Sequence, residues 1–153
     1  MPILKTILLL LSLALFASCS SVYMPGDFYS GDGFEGIVVT VDDDNNPLML
    51  LSFDEANSLS ADSAICWAES MGDGWRLPDK NELAQIDRVK SLINNSLENK
   101  KKPKILVDFT YYWSSTPCSE SHFYACGPDG VGCFFCENNG SSYTARAVRI
   151  IHN

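Results

Sequence analysis

The chain has 153 residues, with 19 acidic side chains against 11 Lys and Arg, a formal net charge of −8 and 46% hydrophobic residues. The acidic excess disfavours DNA, RNA or heparin-like polyanions as partners of the whole-molecule field, and the length leaves room for one domain with one core. The basic cluster Lys100, Lys101, Lys102 and Lys104, interrupted by Pro103, reads as a solvated loop.

The N-terminus carries one lysine, Lys5, ahead of an apolar run over residues 7–16 that only Ser12 interrupts. A charged start, a short apolar stretch and small residues at its end are the parts of a secretory signal peptide. The run is too short to span a bilayer, which takes roughly 20 apolar residues. Its end, Leu15-Phe16-Ala17-Ser18-Cys19, resembles the lipobox of bacterial lipoproteins, in which the thiol receives a diacylglycerol and the cysteine becomes the first residue. The alternative is an ordinary signal cut near Ala17. Ser20 and Ser21 follow where an inner-membrane lipoprotein often carries Asp, so the same resemblance implies the outer membrane, without saying which way the protein faces. The expectation is therefore a signal peptide over residues 1–18, a lipidated Cys19 with a Ser-, Gly-, Asp- and Pro-rich flexible tether over 19–33, and a folded domain over 34–153. The membrane is then a partner through the lipid anchor, in the cell envelope.

Within the domain, residues 36–41 and 48–53 are apolar and β-branched runs on either side of a turn-rich Asp42-Asp43-Asp44-Asn45-Asn46-Pro47, which predicts a hairpin. The acidic turn is not an EF-hand, since Pro47 stands where glycine is needed and Phe53 where glutamate is needed. Ser60 predicts the cap of a first helix whose apolar residues Ala61, Ala64, Ile65, Ala68 and Met71 share one face, ended by Gly72. Asp79 and Glu82, behind Pro78, predict a capping box for a second helix with Leu83, Ile86, Val89, Ile93 and Leu97 as its buried stripe. Short strands are expected again over residues 111–116, 122–126, 131–136 and 144–151, with Gly127-Pro128-Asp129-Gly130 and Asn138-Asn139-Gly140 as turns. Strands, two helices and strands make an α+β fold with an antiparallel sheet.

Once Cys19 is set aside, Cys66, Cys118, Cys126, Cys133 and Cys136 remain, and an exported chain can oxidise them. Five is odd, so one thiol is left over or pairs outside the chain. Cys133 and Cys136 are three apart and point to opposite faces of a strand, which disfavours a bond between them. Cys118, Cys126, Cys133 and Cys136 are the disulfide candidates, with connectivity open, and Cys66 is expected buried and reduced. Four thiolates for zinc are the weaker alternative, because the first two are too widely spaced for a knuckle. No metal site and no cofactor is predicted.

Gly36-Ile37-Val38, the helix around Cys66-Trp67-Ala68, Gly74-Trp75-Arg76-Leu77-Pro78 with Asn81-Glu82-Leu83, Tyr112-Trp113-Ser114-Ser115-Thr116 and Ala147-Val148-Arg149-Ile150 occur in this order. Together they resemble the C-terminal domain of collagen-like bacterial adhesins, a family of unknown function, over most of residues 34–152. The resemblance implies a C-type-lectin-like fold, with two helices packed on short antiparallel sheets beside a long loop region. It also implies a cysteine directly after the last arginine, bonded to the one in the first helix; Ile150 stands there instead, so Cys66 loses that partner. Trp75, Arg76, Pro78, Glu82, Trp113 and Arg149 are the structural signature, with an Arg76–Glu82 ion pair expected on the residues themselves.

No catalytic residue is assigned. Ser114, Ser115 and Thr116 need a base to become nucleophiles, and His122 and His152 form no recognisable constellation with them. The expected activity is a non-enzymatic binding or adhesion module for a glycan or an envelope protein. Tyr111, Tyr112, His122, Tyr124, Phe134 and Tyr143 are its contact candidates, because aromatic faces suit sugar rings and protein hot spots. The calcium-dependent sugar motifs of C-type lectins are absent from the sequence. The alternative is an oxidoreductase of the formylglycine-generating type working through Cys133 and Cys136, although the chain is about half the length of such enzymes; a thioredoxin-like reading of the same pair lacks its βαβ unit.

Overall fold

A computed structural model describes residues 21–107, 109–127 and 134–152. The chain enters the sheet through β1 (Phe28–Gly31), which pairs antiparallel with β2 (Phe34–Val41). The predicted hairpin follows, from β2 to β3 (Pro47–Leu59). Asp42 closes its turn by accepting the backbone N–H groups of Asp44 at 2.9 Å and Asn46 at 2.8 Å. Those hydrogen bonds, with the Asn46 amide foremost, hold its carboxyl below the usual range, as an Asx turn does.

Helix α1 (Ala61–Ser70) starts where Ser60 accepts the N–H of Ser63. Its buried residues Ala61, Ala64 and Ala68 are all small, which lets the helix lie close to the sheet. Helix α2 (Lys80–Arg88) carries the predicted capping box, with Asp79 accepting the Glu82 N–H and Glu82 accepting the Asp79 N–H, each at 2.8 Å. Helix α3 (Lys90–Asn99) follows at once. After the lysine-rich loop come β4 (Tyr112–Ser119), β5 (His122–Cys126), β6 (Phe134–Asn138) and β7 (Tyr143–Ile150).

The strands form a seven-stranded sheet in the order β1-β2-β3-β7-β4-β5-β6. The last strand thus returns to the middle, antiparallel to β3 and parallel to β4 through the bridge Tyr112↔Thr144. One face buries Ile37, Val39, Met49, Leu51, Tyr112 and Val148 against Leu83, Ile86, Ile93 and Leu97 of α2 and α3. The other buries Val38, Leu50, Trp113, Ala145 and Ala147 against the alanines of α1 and the loop residues Trp75 and Leu77. Gly36 makes room for this second layer: a Cβ there would fall 2.9 Å from the Leu51 carbonyl and 3.3 Å from the Trp75 ring. No helix among the described residues is long and apolar enough to cross a membrane.

Several expectations are corrected. The fold is α+β, but the C-type-lectin-like arrangement of two helices on short antiparallel sheets is not what the chain builds: it forms a single mixed sheet with three short helices. The apolar stripe from Leu83 to Leu97 is continuous, yet the helix breaks at Val89, whose φ of −110° and ψ of 12° leave the helical range; a β-branched residue is a weak helix former at such a point. Part of the stretch expected to be a flexible tether joins the sheet instead. Phe28–Gly31 is a strand, Tyr23 donates its N–H to Asn45, and Tyr23, Tyr29 and Phe34 pack ring against ring. Three aromatic residues give this polar stretch enough apolar area to join the sheet. Strand β3 runs on to Leu59 because Glu55 and Ala56 pair with Arg146 and Ala145 of β7. Cys19, Cys133 and the turn residues Pro128, Asp129 and Gly130 lie outside the described residues.

Candidate functional site

The polar end of β3, the start of β4 and the start of β7 meet around an open cleft of about 420 Å3, within the size range of about 300–1,000 Å3 usual for ligand pockets. Glu55, Asn57 and Ser58 supply one wall, Lys104, Phe109 and Tyr111 the second, and Ser142, Tyr143 and Thr144 the third. Gly127 matters to the second wall, because a Cβ at that position would lie 2.5 Å from the Tyr111 ring. The rings are mutually braced: Tyr111 and Tyr143 have centroids 5.4 Å apart, Tyr111 meets Phe135 edge-on at 5.8 Å, and Tyr143 leans on Trp113 at 4.9 Å. Trp113 is fully buried and donates its indole N–H to the Leu59 carbonyl at 2.8 Å.

The floor is ionic. Arg146, 1% exposed, reaches the Glu55 carboxylate at 2.7 Å and also donates to the carbonyls of Ser52, Phe53 and Pro103. Tyr112 donates its hydroxyl to the same Glu55 oxygen at 2.8 Å. Burial, and then the Glu55 carboxylate, push that hydroxyl well above the usual phenol range against the pull of Arg146. Burial and a hydrogen bond to Glu137 raise Tyr143 as well. Both phenols therefore remain neutral donors at physiological pH. Beside them Thr144 donates its hydroxyl to the Asn57 side-chain oxygen at 2.8 Å, which leaves the Asn57 amide nitrogen as a donor toward the cleft.

The six contact candidates divide between the two faces of the sheet. Tyr111 and Tyr143 line the cleft, and Tyr112 forms part of its wall while its ring packs in the core beneath α2 and α3. Tyr124 and Phe134 stand on the α2 face instead, where the Lys80 ammonium covers the Tyr124 ring at 4.5 Å and the Phe134 ring at 6.0 Å. His122 sits at the far end of β5, its Nδ1 3.0 Å from both the Ser119 and the Ser121 hydroxyls. The structure therefore brings together three of the six. Glu55, Asn57, Ser58, Lys104 and Phe109 complete the cleft without a signal in the sequence, since residues 54–58 read as the polar end of a strand and Phe109 as a lone aromatic residue in a loop.

The residues named as a structural signature are spread over the loop before α2 (Trp75, Arg76 and Pro78), α2 (Glu82), β4 (Trp113) and β7 (Arg149). Arg76 and Glu82 form a two-pronged pair at 2.7 and 2.6 Å. Burial alone would raise the Glu82 carboxyl, but the hydrogen bond from Arg76, the Asp79 N–H and the Arg76 charge together hold it below its usual range. Pro78 accepts from the Ser115 N–H at 2.8 Å, and Thr116 accepts from the Lys80 N–H at 2.9 Å. Ser114 accepts the Thr116 N–H within β4, while the Ser115 hydroxyl, donating to the Pro78 carbonyl at 3.3 Å, and the Thr116 hydroxyl tie β4 to the start of α2. Trp75 packs in the second core layer, and Arg149 lays its guanidinium 3.7 Å above the Phe34 ring.

Cys118 and Cys136 form a disulfide. It takes two of the four thiolates that a zinc site would need and one half of the Cys133–Cys136 pair, and no group of three metal-ligating side chains occurs among the described residues. Cys66 is exposed on α1, contrary to its expected burial, because the buried face of that helix belongs to its three alanines. Compared with known proteins, the sequence matches no family model and no curated protein.

Proposed function

We propose that the chain is a cell-envelope lipoprotein, held by a lipid on Cys19 with the outer membrane as its destination, whose folded part is a non-enzymatic binding or adhesion module for a glycan or protein ligand. The observation that carries the binding role is the cleft rimmed by Tyr111, Phe109 and Tyr143, in which aromatic faces surround a few fixed hydrogen-bonding groups. Kinship with the adhesin C-terminal domains rests on the order of the Gly-Trp-Arg-Leu-Pro, Tyr-Trp-Ser-Ser-Thr and Ala-Val-Arg strings alone, without the lectin-like fold. The anchor rests on the residues before Cys19.

A screen of the purified full-length protein against glycans and envelope proteins tests the binding role. A specific partner whose binding is weakened by Tyr143→Ala supports it. Retention of no partner, or binding indifferent to that substitution, contradicts it. Fractionation tests the anchor: Cys19→Ser releases the protein from membranes if a lipid holds it, and leaves it with the membrane like its parent if not.

A further inference from the structure

Among the described residues that line the cleft, the charged ones, Glu55 and Lys104, each have a counter-ion. Glu55 is met by Arg146 at 2.7 Å and by the Tyr112 hydroxyl, and Lys104 reaches Glu98 at 3.0 Å. Arg146 and Glu55 are buried together and leave no charge over, whereas the Lys104–Glu98 pair is exposed and weak, so an anionic ligand is disfavoured chiefly by the chain's net charge of −8. The groups that remain are neutral: the exposed Ser58 and Ser142 hydroxyls, the Asn57 amide nitrogen, and the faces of Tyr111, Tyr143 and Phe109. Where β7 meets β4 the Thr144 N–H is already given to the Tyr111 carbonyl at 2.9 Å, so that join has no donor left for a peptide strand.

The backbone of the cleft carries a second, independent mark. Phe109 is 91% exposed and holds a φ of 59°, and Ser58 on the opposite wall holds a φ of 59°. A bulky side chain is unfavourable in the left-handed region, and such residues gather at ligand clamps. An aromatic ring kept almost wholly in water on such a backbone contributes nothing to the core. It gains only when something covers it.

Resting on the binding role proposed above, we infer that the cleft takes an uncharged pyranose ring of a glycan, with Tyr111 and Tyr143 as its aromatic platform and Phe109 as the side chain that closes over it. The apolar C–H face of the sugar stacks on the rings, and its hydroxyls exchange hydrogen bonds with Asn57, Ser58 and Ser142. The preference for an uncharged over a sulfated or sialylated sugar follows from the chain's net charge of −8, and the role of Phe109 from its exposure and its backbone in the left-handed region.

An array of uncharged oligosaccharides, printed beside sulfated and sialylated ones and a set of neutral peptides, distinguishes this from the broader reading when probed with the full-length protein in mild detergent. Retention on uncharged members is expected, weakened about tenfold by Phe109→Ala and restored by Phe109→Trp. Thermal unfolding should be unchanged in both variants, because the side chain lies outside the core. Retention only on sulfated, sialylated or peptide members overturns the sugar inference while leaving a binding module. Retention on none overturns both. Uncharged glycans bound equally by Phe109→Ala and the parent overturn the closing role of Phe109.

Discussion

β1, β2, β3 and β7 are joined by long antiparallel ladders and bury aliphatic side chains against helices on both faces. β4, β5 and β6 are a second antiparallel set, and the bridge Tyr112↔Thr144 is their ladder contact with the first. What holds this second set is of another kind: the Cys118–Cys136 disulfide, the buried Trp113, the Tyr112 hydroxyl on Glu55, and Asn139, which accepts the N–H groups of Ala61 and Asp62 at the start of α1. The candidate cleft opens along that seam. A region fastened by a few specific bonds can hold side chains in the open that an aliphatic core would absorb.

Breaking the floor of the seam should have the largest effect. Arg146→Ala leaves Glu55 buried without its counter-ion and removes donors from three carbonyls, and is expected to cost about 3–5 kcal/mol in urea unfolding; a loss below about 1 kcal/mol would mean that the two sets of strands do not depend on it. Next comes Cys118→Ser combined with Cys136→Ser. The bond closes a loop between residues 18 apart, for which about 3 kcal/mol is the expected loss, and an unchanged urea midpoint would show the staple to be idle. Asp79→Ala should cost about 1 kcal/mol through the lost cap, read from the same transition.

The smallest effect is a change with pH. Because the folded Glu82 carboxyl is held below its unfolded value of about 4.3, its contribution is present above that value and is lost as pH falls through the lower folded one. Glu82→Gln should therefore flatten the acid limb of the stability profile below about pH 4 while lowering stability near neutrality. An acid limb identical to the parent's would place the sensitivity elsewhere.

The parts of this molecule that were legible in the sequence are those decided locally. The Asp79–Glu82 box, the hairpin around Asp42 and the alanine face of α1 each follow from residues within one or two turns of one another. The Arg76–Glu82 pair follows from a separation of six residues and opposite charge. What escaped is decided between distant segments. Nothing near Tyr143 announces that β7 inserts between β3 and β4, and without that insertion Asn57, Phe109 and Tyr143 have no reason to share a cleft. The division of the aromatic candidates follows from the same cause. Tyr124 and Phe134 look equivalent to Tyr111 in composition, but strand pairing turns them toward Lys80 on the other face. Val89 lies between these cases: its buried spacing was visible, while the break in the helix depended on a backbone angle that no pattern of apolar residues encodes.

Hydrogen exchange resolved by strand tests most directly whether the two sets of strands are held separately, by comparing the parent with the Cys118→Ser, Cys136→Ser double variant. Amides of β5 and β6 are predicted to lose protection while those of β2, β3 and β7 keep theirs. Equal loss of protection across all the strands would contradict the account, because the sheet would then open as one unit and the seam beneath the cleft would have no independent existence.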